Sequence, residues 1–356
     1  MSSPPKILFV VSEDWYFCLH WLRLARSVRD AGFDVAVACN VSCDGERITK
    51  EGFELIPLNL HRSSLNIFRD VWTFLNLCRI LYRTRPAILH NIAMKPILYG
   101  SLAACLVHRP AVVNLFAGLG YLFTSTQLKA RLIRPIALLA IRLSLTLTGG
   151  KCIVLNDDDR AVLISERLAA PHDIHVVPGN GVDIDHFHPL PEPADPPIRI
   201  AVVARMIEDK GIRTAVDAFR LLRERVAGVE LLLAGDSDPR NPAGIPEQVL
   251  RQWGAEPGIT WLGYCADVRR VWASAHIAVL ASRREGLPVS LLEAAACGRP
   301  VVATAVAGCR DVAVPGLNGI LVPVDDAPAL ANALEYLIRV PRVRHAYGSA
   351  GRRIVE

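Results

Sequence analysis

The sequence predicts an α/β protein made of two doubly wound, Rossmann-like domains in series. First, short β-branched runs alternate with longer helical patterns along the chain, and continuous apolar strands separated by helices are typical of a parallel sheet covered on both faces. Second, this pattern stops at a proline-rich stretch and then begins again. Third, the length of 356 residues suits two ordinary domains better than one.

The first domain is assigned to residues 1–188. Its predicted strands are residues 7–12, 34–39, 54–60, 87–91, 111–117, 152–156 and 175–179. Helical patterns lie between most of them, and residues 20–32 and 67–84 are the clearest. Residues 189–197 are rich in proline and acidic residues. We predict that they form a linker, because proline continues neither a helix nor a central strand.

The second domain is assigned to residues 198–356. Its predicted strands are residues 198–205, 229–235, 259–264, 276–282, 299–304 and 319–324. Two doubly wound domains in series are expected to face a cleft, and each should bind ligands at the carboxyl ends of its strands.

Composition and missing motifs exclude several functions. Hydrophobic residues make up 51% of the chain and argue against disorder. The formal net charge of +5 is too small for a typical nucleic-acid binder, but it suits an anionic ligand or membrane surface. Nine scattered cysteines without a CxxC pair predict a reduced cytosolic protein. Neither GxGxxG nor GxxxxGK[ST] follows a strand, which disfavours nicotinamide dehydrogenases and P-loop enzymes.

The turn ARMIEDKG at residues 204–211 is the first candidate phosphate site. It places Arg205 at a strand end and Lys210 beside a helix N-terminus, and this combination suits a diphosphate. The alternative is a solvated turn in which Lys210 pairs with Asp209 or Glu208.

The stretch SRREGLPVSLLEAAACGRPVVAT at residues 282–304 carries two glutamates. Glu285 lies on the loop before a predicted helix, and Pro288 suits the first helical position. Backbone N–H groups near Gly286 and Leu287 should point at an anion. Glu293 lies about one and a half turns inside the helix, where it could accept hydrogen bonds from a ribose diol. The alternative is that Glu285 favours the helix dipole and Glu293 pairs with an arginine.

Together with LLLAGDSDPRNP, WLGYCADV, GCRDV and LNGILVP, these segments closely resemble the retaining nucleotide-sugar glycosyltransferases of the Glu-x7-Glu group, glycosyltransferase family 4, group 1. The resemblance implies the two-domain GT-B fold. In the first domain, LHNIAMKPILYGSLAA, AGLGYLFTS and VLNDDD are similar to a bacterial branch that builds surface polysaccharides. That branch often adds a sugar to a polyprenyl-diphosphate-linked acceptor.

The resemblance also implies roles for single residues. Glu285 matches the glutamate nearest the reacting carbon of the sugar. The implied donor-binding residues are Arg205, Lys210, Gly286, Leu287, Pro288 and Glu293. Of these, Arg205 and Lys210 would neutralise the diphosphate, and Glu293 would hold the ribose hydroxyls. Retaining transfer follows, with UDP as the expected nucleotide and with no metal or cofactor beyond the nucleotide-sugar substrate.

Candidates on the acceptor or sugar side are Glu13, His90, Gly118 and Gly120. His90 is expected to end its strand and face the cleft, although a structural histidine is equally compatible with the sequence. Gly118 and Gly120 could form a turn or allow close approach of an acceptor phosphate. Glu13 and the adjacent Asp14 could act as a base, bind acceptor hydroxyls or cap the next helix.

The chain departs from the family in three places. The turn after the first strand is not glycine-rich, and Phe116-Ala117 stands where many members have a histidine. Relatives usually continue with a last helix that returns to the first domain, and we expect this chain to lack it.

Two other segments allow more than one interpretation. NDDDR at residues 156–160 resembles a metal motif of a different glycosyltransferase fold, but Asn156 is predicted to be a helix N-cap. The apolar stretch 132–150 is too interrupted for a transmembrane helix. It is predicted either to pack on the sheet only or also to touch a membrane through Arg131, Arg134 and Arg142.

The sequence therefore predicts a hexosyl or N-acetylhexosaminyl transferase of O-antigen, capsule or exopolysaccharide assembly. Its expected partners are a nucleotide-sugar, a lipid-linked saccharide and the cytoplasmic face of the inner membrane, and not nucleic acid. Two alternatives remain: a sugar-nucleotide hydrolysing epimerase of the same fold and an inactive sugar-nucleotide-binding protein.

Overall fold

A computed structural model describes residues 4–60, 67–107, 109–118, 128–179, 181–239, 241 and 243–356, with the backbone alone for residue 67 and residues 128–133. The chain divides into two compact units, Met1–Asn180 and Gly181–Glu356.

The first unit contains a seven-stranded sheet in which every pairing is parallel. Its strands are β1 (Lys6–Glu13), β2 (Asp34–Asn40), β3 (Glu54–Pro57), β4 (Ile88–Ile92), β5 (Ala111–Phe116), β6 (Lys151–Val154) and β7 (Ile174–Val176). The strand order is β3-β2-β1-β4-β5-β6-β7. Each strand corresponds to a predicted one.

Helices cover both faces of this sheet. They are α1 (Asp14–His20), α2 (Leu22–Asp30), α3 (Gly45–Lys50), α4 (Ile67–Thr84), α5 (Met94–Leu106), α6 (Leu128–Thr148) and α7 (Asp157–Ser165). Because side chains alternate along β1, Phe9 packs with α1 and α2, whereas Leu8 packs with α4 and α5. Helix α5 lies between α4 and α6 and contacts both.

The second unit repeats the architecture with six parallel strands. They are β8 (Ile198–Val203), β9 (Val229–Ala234), β10 (Ile259–Gly263), β11 (Ile277–Leu280), β12 (Val301–Thr304) and β13 (Gly319–Val322), in the order β10-β9-β8-β11-β12-β13. The helices are α8 (Ile212–Arg223), α9 (Glu247–Gly254), α10 (Arg269–Ser274), α11 (Val289–Ala296), α12 (Ala307–Val312), α13 (Ala327–Arg339) and α14 (Pro341–Val355). The last helix packs on α11 and α13.

Each sheet reverses its winding direction once. In the first unit the reversal lies between β1 and β4, and in the second it lies between β8 and β11. Doubly wound sheets bind ligands in the crevice outside the carboxyl ends of the strands at such a point. The two reversals therefore locate the candidate sites.

The segment 181–197 packs on the second unit. The buried guanidinium of Arg344 donates hydrogen bonds from Nε to Glu192 Oε1 at 2.5 Å and from Nη2 to Asp195 Oδ2 at 2.9 Å. The chain thus passes from one unit to the other before residue 188, where we expected the first domain to end. The sequence signalled where regular structure stops, but not which unit the proline-rich segment joins.

None of the described helices is long and apolar enough to cross a membrane.

Candidate functional site

Glu285 and Lys210 meet at the reversal point of the second sheet. Lys210 Nζ donates a hydrogen bond to Glu285 Oε1 at 2.5 Å, although the residues are 75 positions apart in the chain. Ser282, which follows β11, donates its Oγ–H to the same oxygen at 2.6 Å. The Glu285 side chain is only 8% exposed. A nearly buried carboxylate is costly unless it is paired, and here a cation and a hydroxyl satisfy it.

The alternative, in which Lys210 pairs with Asp209 or Glu208, differs from the contacts of the described residues. Glu208 forms its ion pair with Arg213 at 2.8 Å. The backbone carbonyl of Asp209 accepts a hydrogen bond from the backbone N–H of Arg283 at 2.9 Å. This bond fastens the turn after β8 to the loop after β11, and it places Lys210 beside Glu285.

A glycine allows these two loops to approach. Gly211 has φ +65°, and a Cβ atom there would lie 1.9 Å from the carbonyl oxygen of Ala281. Any other residue would meet this steric overlap in a left-handed conformation, which side chains rarely adopt. The close approach of the loops therefore depends on glycine at position 211.

A second glycine holds the loop that carries Glu285. A Cβ atom on Gly308, in α12, would lie 2.2 Å from the carbonyl oxygen of Gly286. The Gly308 N–H donates a hydrogen bond to the Glu285 carbonyl at 3.3 Å. Helix α11 begins at Val289, so Pro288 is its N-cap and not its first residue. The N-terminal N–H groups of a helix lack intrahelical partners, and these groups follow Glu285 directly in the chain.

Glu293 lies inside α11, as expected, but it does not pair with an arginine. Among the described residues no cation pairs with it, and burial raises the pKa of its carboxyl group to about 8. The indole N–H of Trp272 is close enough to offset part of this increase in the pKa, yet it is buried without a well-formed hydrogen bond. At neutral pH the carboxyl group is therefore largely protonated and can both donate and accept hydrogen bonds.

Arg205 follows β8, and its side chain is partly exposed. Its Nη1 lies 3.4 Å from Oδ2 of Asp238, in the loop after β9. This long contact leaves the guanidinium at the carboxyl edge of the sheet. The sequence did not single out Asp238, Ser282 or Trp272. Only the position of Ser282 at the end of a predicted strand could have suggested it.

Among the described residues of the first unit, His90 and the other candidates do not meet as Lys210 and Glu285 do in the second. The expectation that His90 ends its strand and faces the cleft is wrong, because β4 continues to Ile92 and the imidazole is buried. The ring stacks on Phe9 at a centroid distance of 5.1 Å, and its Nε2 has no hydrogen-bond partner. Burial lowers the pKa of His90 to about 4, so the ring is neutral.

Two adjacent carboxylates at the end of β1 have different roles. Asp14 is fully buried and accepts hydrogen bonds from the backbone N–H groups of residues 42–44 at 2.8–3.0 Å. Although burial opposes its ionisation, these bonds and that of Ser42 Oγ lower the pKa of Asp14. Asp14 is therefore structural. Glu13 accepts a hydrogen bond from Asn40 Nδ2 at 2.9 Å and does not cap α1.

The remaining first-unit predictions have mixed outcomes. Gly118 has φ +93°, and no atom of the described residues lies within 4 Å of its Cβ position. This geometry fits a turn that needs glycine. Gly120 lies outside the described residues. Asn156 is confirmed as an N-cap, because its side chain accepts a hydrogen bond from the N–H of Asp159 at 2.8 Å.

Two family models match the chain. "Glycosyl transferases group 1" matches residues 197–339, and "Glycosyl transferase 4-like" matches residues 6–148. The range 6–148 lies in the first unit, and the range 197–339 lies in the second. The range 197–339 contains the Lys210–Glu285 pair.

Curated relatives extend over most of the chain. The capsular polysaccharide biosynthesis glycosyltransferase CapM of Staphylococcus aureus is 24% identical over 340 residues, covering 92% of this chain and 87% of that protein. The UDP-Gal:α-D-GlcNAc-diphosphoundecaprenol α-1,3-galactosyltransferase of Escherichia coli is 24% identical over 287 residues, covering 76% of this chain and 71% of that protein.

Among solved structures, the sucrose-phosphate synthase of Thermosynechococcus elongatus has the same fold. It aligns with a TM-score of 0.82 at 20% identity, covering 99% of this chain and 94% of that one.

Proposed function

This chain belongs to the glycosyl transferases of group 1 and is a glycosyltransferase, and from that premise we propose its reaction. It moves a sugar from a UDP-linked donor to a saccharide on a polyprenyl diphosphate, in the assembly of a surface polysaccharide. The names of the Staphylococcus aureus and Escherichia coli relatives support this pathway class, donor and acceptor. The observation that carries the proposal is the buried Glu285, held by Lys210 and Ser282 at the reversal point of the second sheet.

The donor diphosphate binds between the loops that follow β8 and β11. Arg205 and Lys210 neutralise its charge, and the N-terminal N–H groups of α11 donate hydrogen bonds to its oxygens. As these groups are fixed where negative charge grows on the leaving group, they stabilise the transition state. We assign this neutralisation to protein groups and not to a metal ion.

Lys210 has two partners in this scheme. Without donor it pairs with Glu285, and with donor it faces the diphosphate as well. Binding therefore loosens the hold of Lys210 on Glu285, whereas Ser282 keeps its hydrogen bond to the carboxylate. The freed negative charge of Glu285 then faces the sugar.

The chemical step retains the configuration of the sugar. The bond from the anomeric carbon to the phosphate oxygen breaks, and the bond to the acceptor oxygen forms on the same face. The acceptor hydroxyl gives its proton to the departing phosphate. Positive charge develops on the sugar, and the Glu285 carboxylate stabilises it.

Glu293 holds the nucleoside. Its largely neutral carboxyl group can donate one hydrogen bond and accept others, which matches the two hydroxyls of a ribose. Gly286, Leu287 and Pro288 place the start of α11 between this nucleoside contact and Glu285.

The first unit supplies the acceptor side. Glu13, at the carboxyl end of β1, is the candidate for contact with acceptor hydroxyls. Gly118 has no side chain and a positive φ, which suits close approach of a phosphate. His90 is buried, and its ring packs on Phe9 of β1. The enzyme acts at the cytoplasmic face of the inner membrane, where a polyprenyl-linked acceptor is anchored.

One assay tests the proposal. The protein is incubated with UDP- and GDP-sugars, with and without a polyprenyl-diphosphate saccharide, and nucleotide release is measured together with the anomeric configuration of the product. We expect release of UDP that requires the acceptor, insensitivity to EDTA and a retained configuration. Release without acceptor that yields a new free sugar would instead identify a hydrolysing epimerase. Binding without turnover would identify an inactive sugar-nucleotide-binding protein.

A further inference from the structure

Helix α4 of the first unit exposes a row of apolar side chains. They are Phe68, Val71, Trp72 and Leu75. Their spacing of three and four residues places them on one side of the helix. Phe68 is 83% exposed and Trp72 is 60% exposed, whereas Leu77 and Leu81 on the other side are buried against the sheet. The core packing of α4 therefore does not use this row.

Helix α6 exposes a similar row on the same layer. It consists of Ile136, Leu139, Leu143 and Leu147, all exposed. The opposite side of α6 packs into the core through Ile141 and Leu145. Since α5 lies between α4 and α6, both rows lie on the outer surface of one helix layer. We call this surface, residues 68–83 and 136–147, the α4–α6 face.

Among the described side chains of α4 and α6, the exposed charged ones are all arginines. Arg69, Arg79 and Arg83 of α4 are exposed, and so is Arg142 of α6. Among the described side chains of α4, α5 and α6 the one carboxylate is Asp70, and it is bonded to Lys95 Nζ at 2.9 Å. The α4–α6 face therefore combines apolar rows with exposed arginines.

We propose that the α4–α6 face docks on an anionic lipid bilayer. Arginines attract acidic lipid headgroups, aromatic rings such as those of Trp72 and Tyr82 favour the membrane interface, and the leucines and Phe68 enter the acyl boundary. A second copy of the chain fits less well, because a two-fold contact would bring arginines against arginines without carboxylates to pair them.

This inference extends the membrane contact predicted for residues 132–150. The sequence pointed to arginines on that helix, whereas the exposed aromatic side chains among the described residues of the first unit, Phe68, Trp72 and Tyr82, belong to α4. The docking surface lies in the first unit and does not include Glu285 or Lys210, so binding to lipid and sugar transfer can fail independently.

Flotation of the full chain with vesicles tests the proposal. Vesicles of phosphatidylethanolamine with phosphatidylglycerol are compared with vesicles of phosphatidylcholine, at low and high salt. We expect binding to the anionic vesicles that salt weakens. The double variant Trp72→Ser/Leu75→Ser should bind at least about tenfold more weakly, because it removes the apolar contact. Arg79→Gln and Arg83→Gln should each lower binding about fivefold, as expected for one basic side chain near an anionic surface.

The double variant Leu317→Ser/Tyr336→Ser is the matched control, because it removes exposed apolar side chains from the second unit. Folding is checked by melting temperature and by turnover with a short soluble acceptor, and the arginine variants give a second readout if Trp72→Ser/Leu75→Ser unfolds. Equal binding to both kinds of vesicle, no binding, or loss in the control alone would overturn the proposal. So would a lipid-free dimer that dissociates in Trp72→Ser/Leu75→Ser, which would identify a protein interface.

Discussion

Each sheet has one point at which its winding reverses, between β8 and β11 in the second unit and between β1 and β4 in the first. These two points are topologically equivalent, yet the polar side chains beside them have different roles. In the second unit, Lys210 and Glu285 pair beside the ends of β8 and β11, with the Glu285 side chain 8% exposed. In the first unit, Asp14 and His90 are absorbed into the packing. A shared fold thus provides two equivalent positions, but it does not decide which one carries a cation paired with a carboxylate.

The sharpest test of this contrast is to remove the carboxylate from each crevice. Glu285→Ala should lower kcat by about 10³-fold, because it removes a charge fixed next to the developing positive charge. The affinity for UDP should change only a few-fold in calorimetry. Glu13→Ala is the matched variant at the other crevice, and it should raise the acceptor KM and leave the donor KM unchanged. Unaltered turnover in Glu285→Ala would remove the catalytic assignment.

Lys210→Met should affect donor binding more than the carboxylate variant does. The side chain keeps its length but loses its charge, so we expect the donor KM to rise about 10²-fold, as for loss of a charge-assisted hydrogen bond in a buried site. Arg213→Met is the control, because it removes a cation three residues further along the chain that pairs with Glu208 and not with Glu285. A donor KM that responds equally in both variants would argue for a general electrostatic effect and against a specific contact.

Two titratable groups with shifted pKa values, Glu293 and His90, predict opposite pH dependences of stability. Glu293 has a raised pKa of about 8, so the unfolded chain releases its proton before the folded chain does, and stability falls as pH rises from about 4.5 to 8. His90 has a lowered pKa of about 4, so the unfolded chain binds its proton first, and stability falls as pH drops from about 6.5 to 4.

Denaturant unfolding of two variants measures these effects. Glu293→Gln should be more stable than the unchanged protein by about 1–3 kcal/mol at pH 8, with little difference at pH 4.5. His90→Gln should change the slope of stability against pH only between about pH 4 and 6.5. A constant difference at all pH values would show that packing, and not protonation, causes the change in stability.

Ser282→Ala should have the smallest effect on the reaction. The hydroxyl donates a hydrogen bond to Glu285 and orients it, so its loss should lower kcat about tenfold and leave the donor KM nearly unchanged. Ser282→Thr should recover part of the rate if orientation is the cause. Equal changes of kcat and KM in Ser282→Ala would point to a general loss of structure.

Much of the second unit could be predicted from sequence because its signals are local. Apolar runs identify strands, and the turn before Gly211 and the loop at Glu285 each follow one. Parallel strands place such loops at a common edge, so the meeting of Lys210 with Glu285 follows from chain topology.

The first unit was less predictable because its decisive contacts depend on register. His90 lies opposite Phe9 in the β1–β4 pairing, and no local pattern shows that their rings stack. Asp14 bonds to residues 42–44, whose loop follows another strand. The apolar residues of α4 predicted a helix that packs on the core. Periodicity alone does not show that this helix is apolar on two sides and that the protein covers only one of them.

The two glycines beside the Lys210–Glu285 pair bear on attempts to change the donor sugar. At Gly211 and Gly308 an added methyl group would strike a backbone carbonyl at 1.9 Å and 2.2 Å, and a rigid backbone cannot move aside as the end of a side chain can. In a library randomised at these positions, most variants would carry a side chain there and would fail to bring the two loops together. Leaving both fixed and varying the loops of the first unit would confine the search to sequences that still place Lys210 beside Glu285.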